Sequence, residues 1–223
     1  MDFRPLWVSV KISILATIIV FILGLIAARL VYKTHGAARY IADVLFSLPL
    51  VLPPTVVGFY LLVCFGKNSP VGQFMARLDI SFIFTWQAAL LAAAVVAFPL
   101  MYRAAISAFE QVDNTLISAA RTLGISETKI FLRLLLPLSW QGIVGGIVLS
   151  FARALGEFGA TMMIAGNIPG RTQTMPLAIY FAMAGGDMRA ATVWVIIITA
   201  VSCAMLAIIN GYSAKRAKRG AGA

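Results

Sequence analysis

The sequence predicts an all-α integral membrane protein: about five transmembrane helices, a short outer re-entrant helix and a cytoplasmic helix-turn-helix loop. Three observations lead there. First, 61% of residues are hydrophobic and only 12% charged, with a mean hydropathy of +0.94. A soluble domain carries roughly 25% charged residues, so this chain could not cover its surface in water. Second, the apolar residues gather into long uncharged runs. Third, Lys and Arg fall between those runs rather than within them.

The runs follow in order. Ile12 to Ala28 is uncharged and reads as one helix from Trp7 to Val31, with Lys11 snorkelling at its end. A cleaved signal peptide is the competing reading, but the run exceeds a typical h-region and lacks a strongly basic start. Val44 to Gly66 forms the second span. Pro49, Pro53 and Pro54 remove backbone donors there and should kink or break it, with Pro53 and Pro54 the candidate break. Ile80 to Tyr102 is the third span. Leu134 to Ala152 is the fourth, continuing past Arg153 and Glu157 to about Ala165. Ala190 to Ala214 is the fifth. Thr174 to Gly186 is too short to cross a core of about 30 Å and reads as a helix dipping in from the outer face. The whole, 1–223, is one transmembrane domain with a basic cytoplasmic tail at 212–223, expected to fray.

Charge sets direction and excludes functions. With the N-terminus outside, eleven Lys/Arg fall on inner segments and six on outer ones, which favours N-out, C-in. The net charge of +10 forms no single basic face, so nucleic acid is not an expected partner. Cys64 and Cys203 lie inside apolar runs and read as small hydrophobes. His35 is the sole histidine, which rules out a histidine-rich metal site. A membrane enzyme would need clustered His, Asp or Ser on facing helices, and none is evident. A stand-alone secondary transporter would need embedded acids; Glu157 alone lies deep in a span.

The inner loop, 104–136, mixes charge with helical spacing. Leu116, Ala119, Ala120 and Leu123 recur at three- and four-residue steps and predict an apolar face. Asp113 or Asn114 can cap the first helix, Gly124 can end it, and Ser126 can cap a second with Glu127 in its first turn. Pro137 would then start the fourth span. Such a helix-turn-helix makes a rigid knob suited to a partner's groove, or an amphipathic loop lying on lipid.

Ala119-Ala120, Gly124, Leu134 and Leu136-Pro137 resemble the "EAA" loop of bacterial ABC importer permeases, with matching spacing. Ser118 stands in place of the Glu and Leu134 in place of the Ile. Leu48 to Pro54, Phe98-Pro99-Leu100-Met101, Phe151 to Thr161, Asn167 to Gly170 and Thr172-Gln173-Thr174 are similar to the molybdate branch, whose relatives carry sulfate or tungstate. The resemblance implies a homodimer of permeases, a pair of ABC ATPase subunits below, and a periplasmic or surface-anchored oxyanion-binding protein above, all at the bacterial inner membrane and in its lipid. Ser118, Ala119, Ala120, Arg121, Thr122, Leu123, Gly124 and Ile125 would form the ATPase-coupling loop. Ser118 offers at most a neutral hydrogen bond where relatives place an acid. No Gly-x-x-x-x-Gly-Lys-Ser/Thr loop occurs, so ATP and Mg would be used by the partner, with no cofactor, metal or catalytic residue expected here.

Arg153 and Glu157, four residues apart, are expected to pair, because a lone charge at mid-bilayer costs about 2.5–3.5 kcal/mol. The pair either fixes helix packing or lines the anion path. Gly142, Gly145, Gly146, Gly156 and Gly159 would let helices approach closely.

Overall fold

The backbone's polar groups must be satisfied internally in lipid, and the chain does so with helices throughout. The computed structural model describes residues 2–79 and 81–220, with side chains through 207. The elements are α1 (Arg4–Lys33), α2 (Gly36–Val51), α3 (Pro54–Phe65), α4 (Pro70–Arg77), α5 (Trp86–Glu110), α6 (Asn114–Thr122), α7 (Glu127–Ile130), a π-helical turn (Phe131–Leu135), α8 (Leu136–Leu138), α9 (Trp140–Leu155), α10 (Gly159–Ala165), α11 (Met175–Ala184) and α12 (Met188–Gly220). Three of these, α1, α5 and α12, are each long and apolar enough to cross a membrane. The bent pairs α2–α3 and α7–α9 raise the number to five if each is one span.

Helix α5 is the central post. Thr85 caps it, its Oγ1 accepting from Ala88 N at 3.3 Å. Ala88, Ala89, Ala92, Ala93, Ala97 and Ala105 are buried along it. Small side chains let neighbouring backbones close in, and dispersion then replaces the hydrophobic drive that lipid removes. Helix α1 uses Gly24, where an added Cβ would sit 2.8 Å from Met101 Cγ. Helix α9 uses Gly142 and Gly146, whose added Cβ atoms would meet Ala108 and Ala104 at 2.6 and 2.7 Å. Gly145 faces open space. Lys11 stacks over Trp86 at 3.7 Å, while Arg39 pairs with Glu110 at the other end.

The prolines act as their positions dictate. Leu52 and Pro53 each precede a proline, which biases them to extended backbone, and both adopt it with ψ of 138° and 136°. The helix therefore stops, and α2 and α3 meet at 110°. Pro53 and Pro54 are thus the break expected there. Pro49 stays inside α2 without ending it.

Several boundaries differ from the sequence reading. The third span starts at Trp86 and runs on to Glu110, so the loop expected from 104 begins only beyond the helix. The fourth span does not start at Pro137. Segment Glu127–Leu138 turns by 73° into Trp140–Leu155. Pro137 lacks an N–H there, and the Ser139 hydroxyl donates to the Ala108 carbonyl at 3.0 Å, fastening the corner to α5. Cys64 and Cys203 are exposed in the single chain rather than packed. Helix α12 continues through Gly220 into the expected tail; 221–223 lie outside the described residues. Helix α11 sits where a short outer helix was expected, anchored by Met175 N donating to buried Ser9 Oγ at 2.7 Å.

Gly58 sets the contact between α3 and α10. A Cβ there would lie 2.7 Å from Ala160 Cα and 2.9 Å from its carbonyl oxygen, both backbone atoms that cannot swing aside. Gly58→Val should therefore destabilise the detergent-solubilised chain by about 1–3 kcal/mol. Thermal unfolding would show it, with Gly58→Ala falling between the two.

Candidate functional site

Two short helices project from the Glu110 end of α5. Asp113 caps α6, its Oδ1 accepting from Thr115 N at 2.8 Å. That bond to the ionised form holds the Asp113 carboxyl below its ordinary value of 3.8. The helix closes with a Schellman pattern: Ile125 N donates to Ala120 O at 3.1 Å and Gly124 N to Arg121 O at 2.9 Å. Gly124 makes this possible with φ +71°, the left-handed region. No atom lies within 4 Å of where its Cβ would be, so only conformation demands glycine. Ser126 precedes α7 but its side chain makes no cap bond. Glu127 instead turns sideways to Arg121.

The expected apolar face is rotated. Ile117 and Val112 are the buried positions, while Leu116, Ala119 and Leu123 face outward. Leu123 is 79% exposed, Leu132 53% and Leu116 48%. Apolar spacing there does not mark what packs on the chain itself. It marks what the chain presents.

Ionic contacts tie this knob to the rest. Arg121 Nε lies 2.6 Å from Glu127 Oε1, and Lys33 Nζ of α1 lies 3.5 Å from Glu127 Oε2. The hydrogen bond from Arg121 holds the Glu127 carboxyl below its ordinary range and the Arg121 guanidinium above its own. Tyr32 hydroxyl donates to Asn114 Oδ1 at 3.3 Å. One layer deeper, Arg103 of α5 reaches Asp43 of α2 at 3.1 Å, and Tyr102 donates to the same carboxylate at 2.8 Å. Sequence reasoning passed over Asp43. A carboxylate at the edge of one apolar run, with an arginine at the edge of another, was the available signal.

Arg153 and Glu157 do come together, with Nη1 2.8 Å from Oε2. They do not share one continuous helix, because α9 ends at Leu155. Glu157 is 2% exposed and its Oε1 accepts from Ala160 N at 2.8 Å, capping α10 across the break. The contact to Arg153 is ionic and falls short of hydrogen-bond geometry. Arg153 keeps 29% of its side chain exposed.

Residues 20–219 match the family described as binding-protein-dependent transport system inner membrane component. The chain belongs to that family. Within it, the chain is 41% identical over 211 residues to the molybdenum transport system permease protein ModB of Escherichia coli (strain K12), covering 93% of this chain and 91% of that one. It is 32% identical to the sulfate transport system permease protein CysT of Salmonella typhimurium (strain LT2), covering 95% and 76%. Among solved structures, it is similar to a chain of the bacterial alginate ABC transporter in complex with alginate pentasaccharide-bound periplasmic protein. The TM-score is 0.76 at 15% identity, covering 95% of this chain and 77% of that one. This last likeness shows a shared fold. The sequence-based expectation of an importer permease is met at the level of this transport family.

Both carboxyls that order the knob, Asp113 and Glu127, have folded values below their ordinary ones, 3.8 and 4.5. Their contributions are thus complete above that range and are lost as pH falls through the depressed values. Protease nicking at 122–126 should stay constant from neutral pH down to the ordinary carboxylate range and rise below it. A neutral protease reads the plateau and pepsin the acid range, each rate divided by that on an unstructured peptide at the same pH, and Asp113→Asn with Glu127→Gln should raise nicking at neutral pH.

Proposed function

We propose that this chain is the membrane subunit of a homodimeric ABC importer for a tetrahedral oxyanion, molybdate first. The observation that carries the reading is the exposed apolar face of the knob, Leu116, Leu123 and Leu132, on a chain of the transport family. An apolar face in water needs a partner, and the separate ATPase subunits are that partner. Identity of 41% to a molybdenum permease against 32% to a sulfate permease supports the order of cargo. Sulfate or thiosulfate is the alternative, with tungstate beside it.

The remaining assignments follow. The knob end lies in the cytoplasm and the Arg4–Trp86 end outside, where a binding protein delivers the anion; this agrees with the cation excess at the knob end. About five spans cross the bilayer, with α2–α3 and α7–α9 each a single bent one, and α11 is the short outer re-entrant helix. Lipid covers the exposed stripe Ile22, Leu23, Ile26 and Leu30 of α1. Helix α9 leaves Gln141, Leu149 and Ala152 exposed, with Gly156 exposed just past its end and Gly145 open between them. This stripe of mostly small residues suits close approach by the second permease. Arg153 and Glu157 hold the α9–α10 break rather than bind cargo.

The mechanism is a population shift. ATP binding closes the ATPase pair, the two knobs are drawn together, and the helices pass from inward- to outward-open. ATP must therefore prefer the outward-open state. Rigidity of the knob matters because a floppy one would absorb the displacement. Gly124→Pro cannot adopt φ +71° and is expected to abolish uptake while membrane insertion remains normal.

The deciding experiment reconstitutes the chain with its ATPase in liposomes. ATP hydrolysis is compared with molybdate-loaded, sulfate-loaded and empty binding protein. Stimulation by the molybdate-loaded form is expected. Stimulation by sulfate alone would keep the importer and change its cargo, and failure to assemble with any ATPase would overturn the reading.

A further inference from the structure

The inner side of the knob bounds a half-open cavity of about 510 Å³. Its walls are the ends of α1, α2 and α5 together with α6, α7 and the π turn. Four cationic side chains line it, Arg29, Lys33, Arg39 and Arg121, against two carboxylates, Glu110 and Glu127.

Both carboxylates are already engaged. Glu110 is held by Arg39, and Glu127 by Arg121 and Lys33. Arg29 is left over. It is half-buried, and among the described residues it has no carboxylate partner. Its guanidinium carbon lies 4.2 Å from the centre of the Phe131 ring. Stacking of that kind fixes the plane of an arginine while leaving its N–H edge free for bidentate recognition.

A surplus of cations at inner helix ends is, by itself, the ordinary positive-inside bias. Here the surplus gathers in one half-open cavity, and charges of one sign lining a cleft focus their field on whatever enters. Lys33 and Arg39 flank the turn through Gly36, whose φ of +68° folds α2 back beside α1. Their side chains consequently converge on the same space as Arg29.

We propose that this cavity is a binding site for a phosphate-class oxyanion, with Arg29 as its principal ligand. The anion is either a free ion or the headgroup of an anionic lipid. Bound there, it bridges the α1–α2 turn to the inner wall of the knob and holds the two together. The site does not depend on which cargo the importer carries.

The test uses the full chain in phosphatidylcholine nanodiscs. Inorganic phosphate is titrated calorimetrically. In parallel, discs containing phosphatidylglycerol are examined by native mass spectrometry for retained lipid. One of the two probes is expected to bind, and Arg29→Gln to weaken it by about tenfold, as loss of a charge-assisted contact implies. Arg29→Lys should recover part of the affinity, and Lys67→Gln, at the opposite end, should change nothing. Phosphate binding that follows Arg29 identifies a free ion, and phosphatidylglycerol retention that follows Arg29 identifies a lipid headgroup. If neither probe binds, or binding ignores Arg29→Gln in a folded chain, the proposal fails.

Discussion

The close contact of α5 with its neighbours is the constraint on which the rest depends. In lipid, apolar side chains gain little by leaving their surroundings, so helices associate through packing and a few polar contacts. Helix α5 meets that condition with buried alanines, and α1 and α9 meet it with Gly24, Gly142 and Gly146. The approach is close enough that one methyl group at any of those glycines would collide. Two consequences follow. The helices that touch α5 cannot slide freely, and anything fastened to the end of α5 inherits its position.

The knob is fastened in that way. It leaves α5 through the cap at Asp113 and returns to it through Ser139, whose hydroxyl bonds to Ala108 O at 3.0 Å. Between those points its only ionic ties run to Arg121 itself and to Lys33 of α1, among the described residues. Surface ion pairs of this kind contribute little to stability, typically about 0–1 kcal/mol. Here they join the knob's two helices to each other and to α1. The knob is thus connected to α5 and α9, and through Lys33 to α1, so a displacement of it would act on all three.

Much of this was legible in the sequence because lipid imposes simple rules. Uncharged runs gave the apolar spans, the Pro53-Pro54 pair gave the α2–α3 break, and Gly124 announced its positive φ. What escaped was relative placement. The stripe of Leu116, Ala119 and Leu123 was visible as a pattern, but spacing alone does not say whether such a face packs within the chain or against a partner. The corner at Ser139 depends on a hydrogen bond to a residue far along the chain, which no local signal encodes. The Asp43 pairing with Arg103 and Tyr102 likewise exists only once α2 and α5 lie side by side. Helix periodicity also continues smoothly across Gly156, so the break that separates Arg153 from Glu157 was hidden.

The central claim is that the knob moves as a rigid body when the partner binds nucleotide. Thr128, exposed on α7 and outside the apolar face assigned to docking, can carry a spin label there. The label would be placed by Thr128→Cys in a Cys64→Ala, Cys203→Ala background, since both native cysteines are exposed. The distance between the two labels of the assembled importer is then measured by electron–electron double resonance, without nucleotide and with a non-hydrolysable ATP analogue. A single narrow distribution that shifts to shorter distance with the analogue is expected. An unchanged distance in an assembly that still hydrolyses ATP and imports its cargo would contradict the coupling role of the knob.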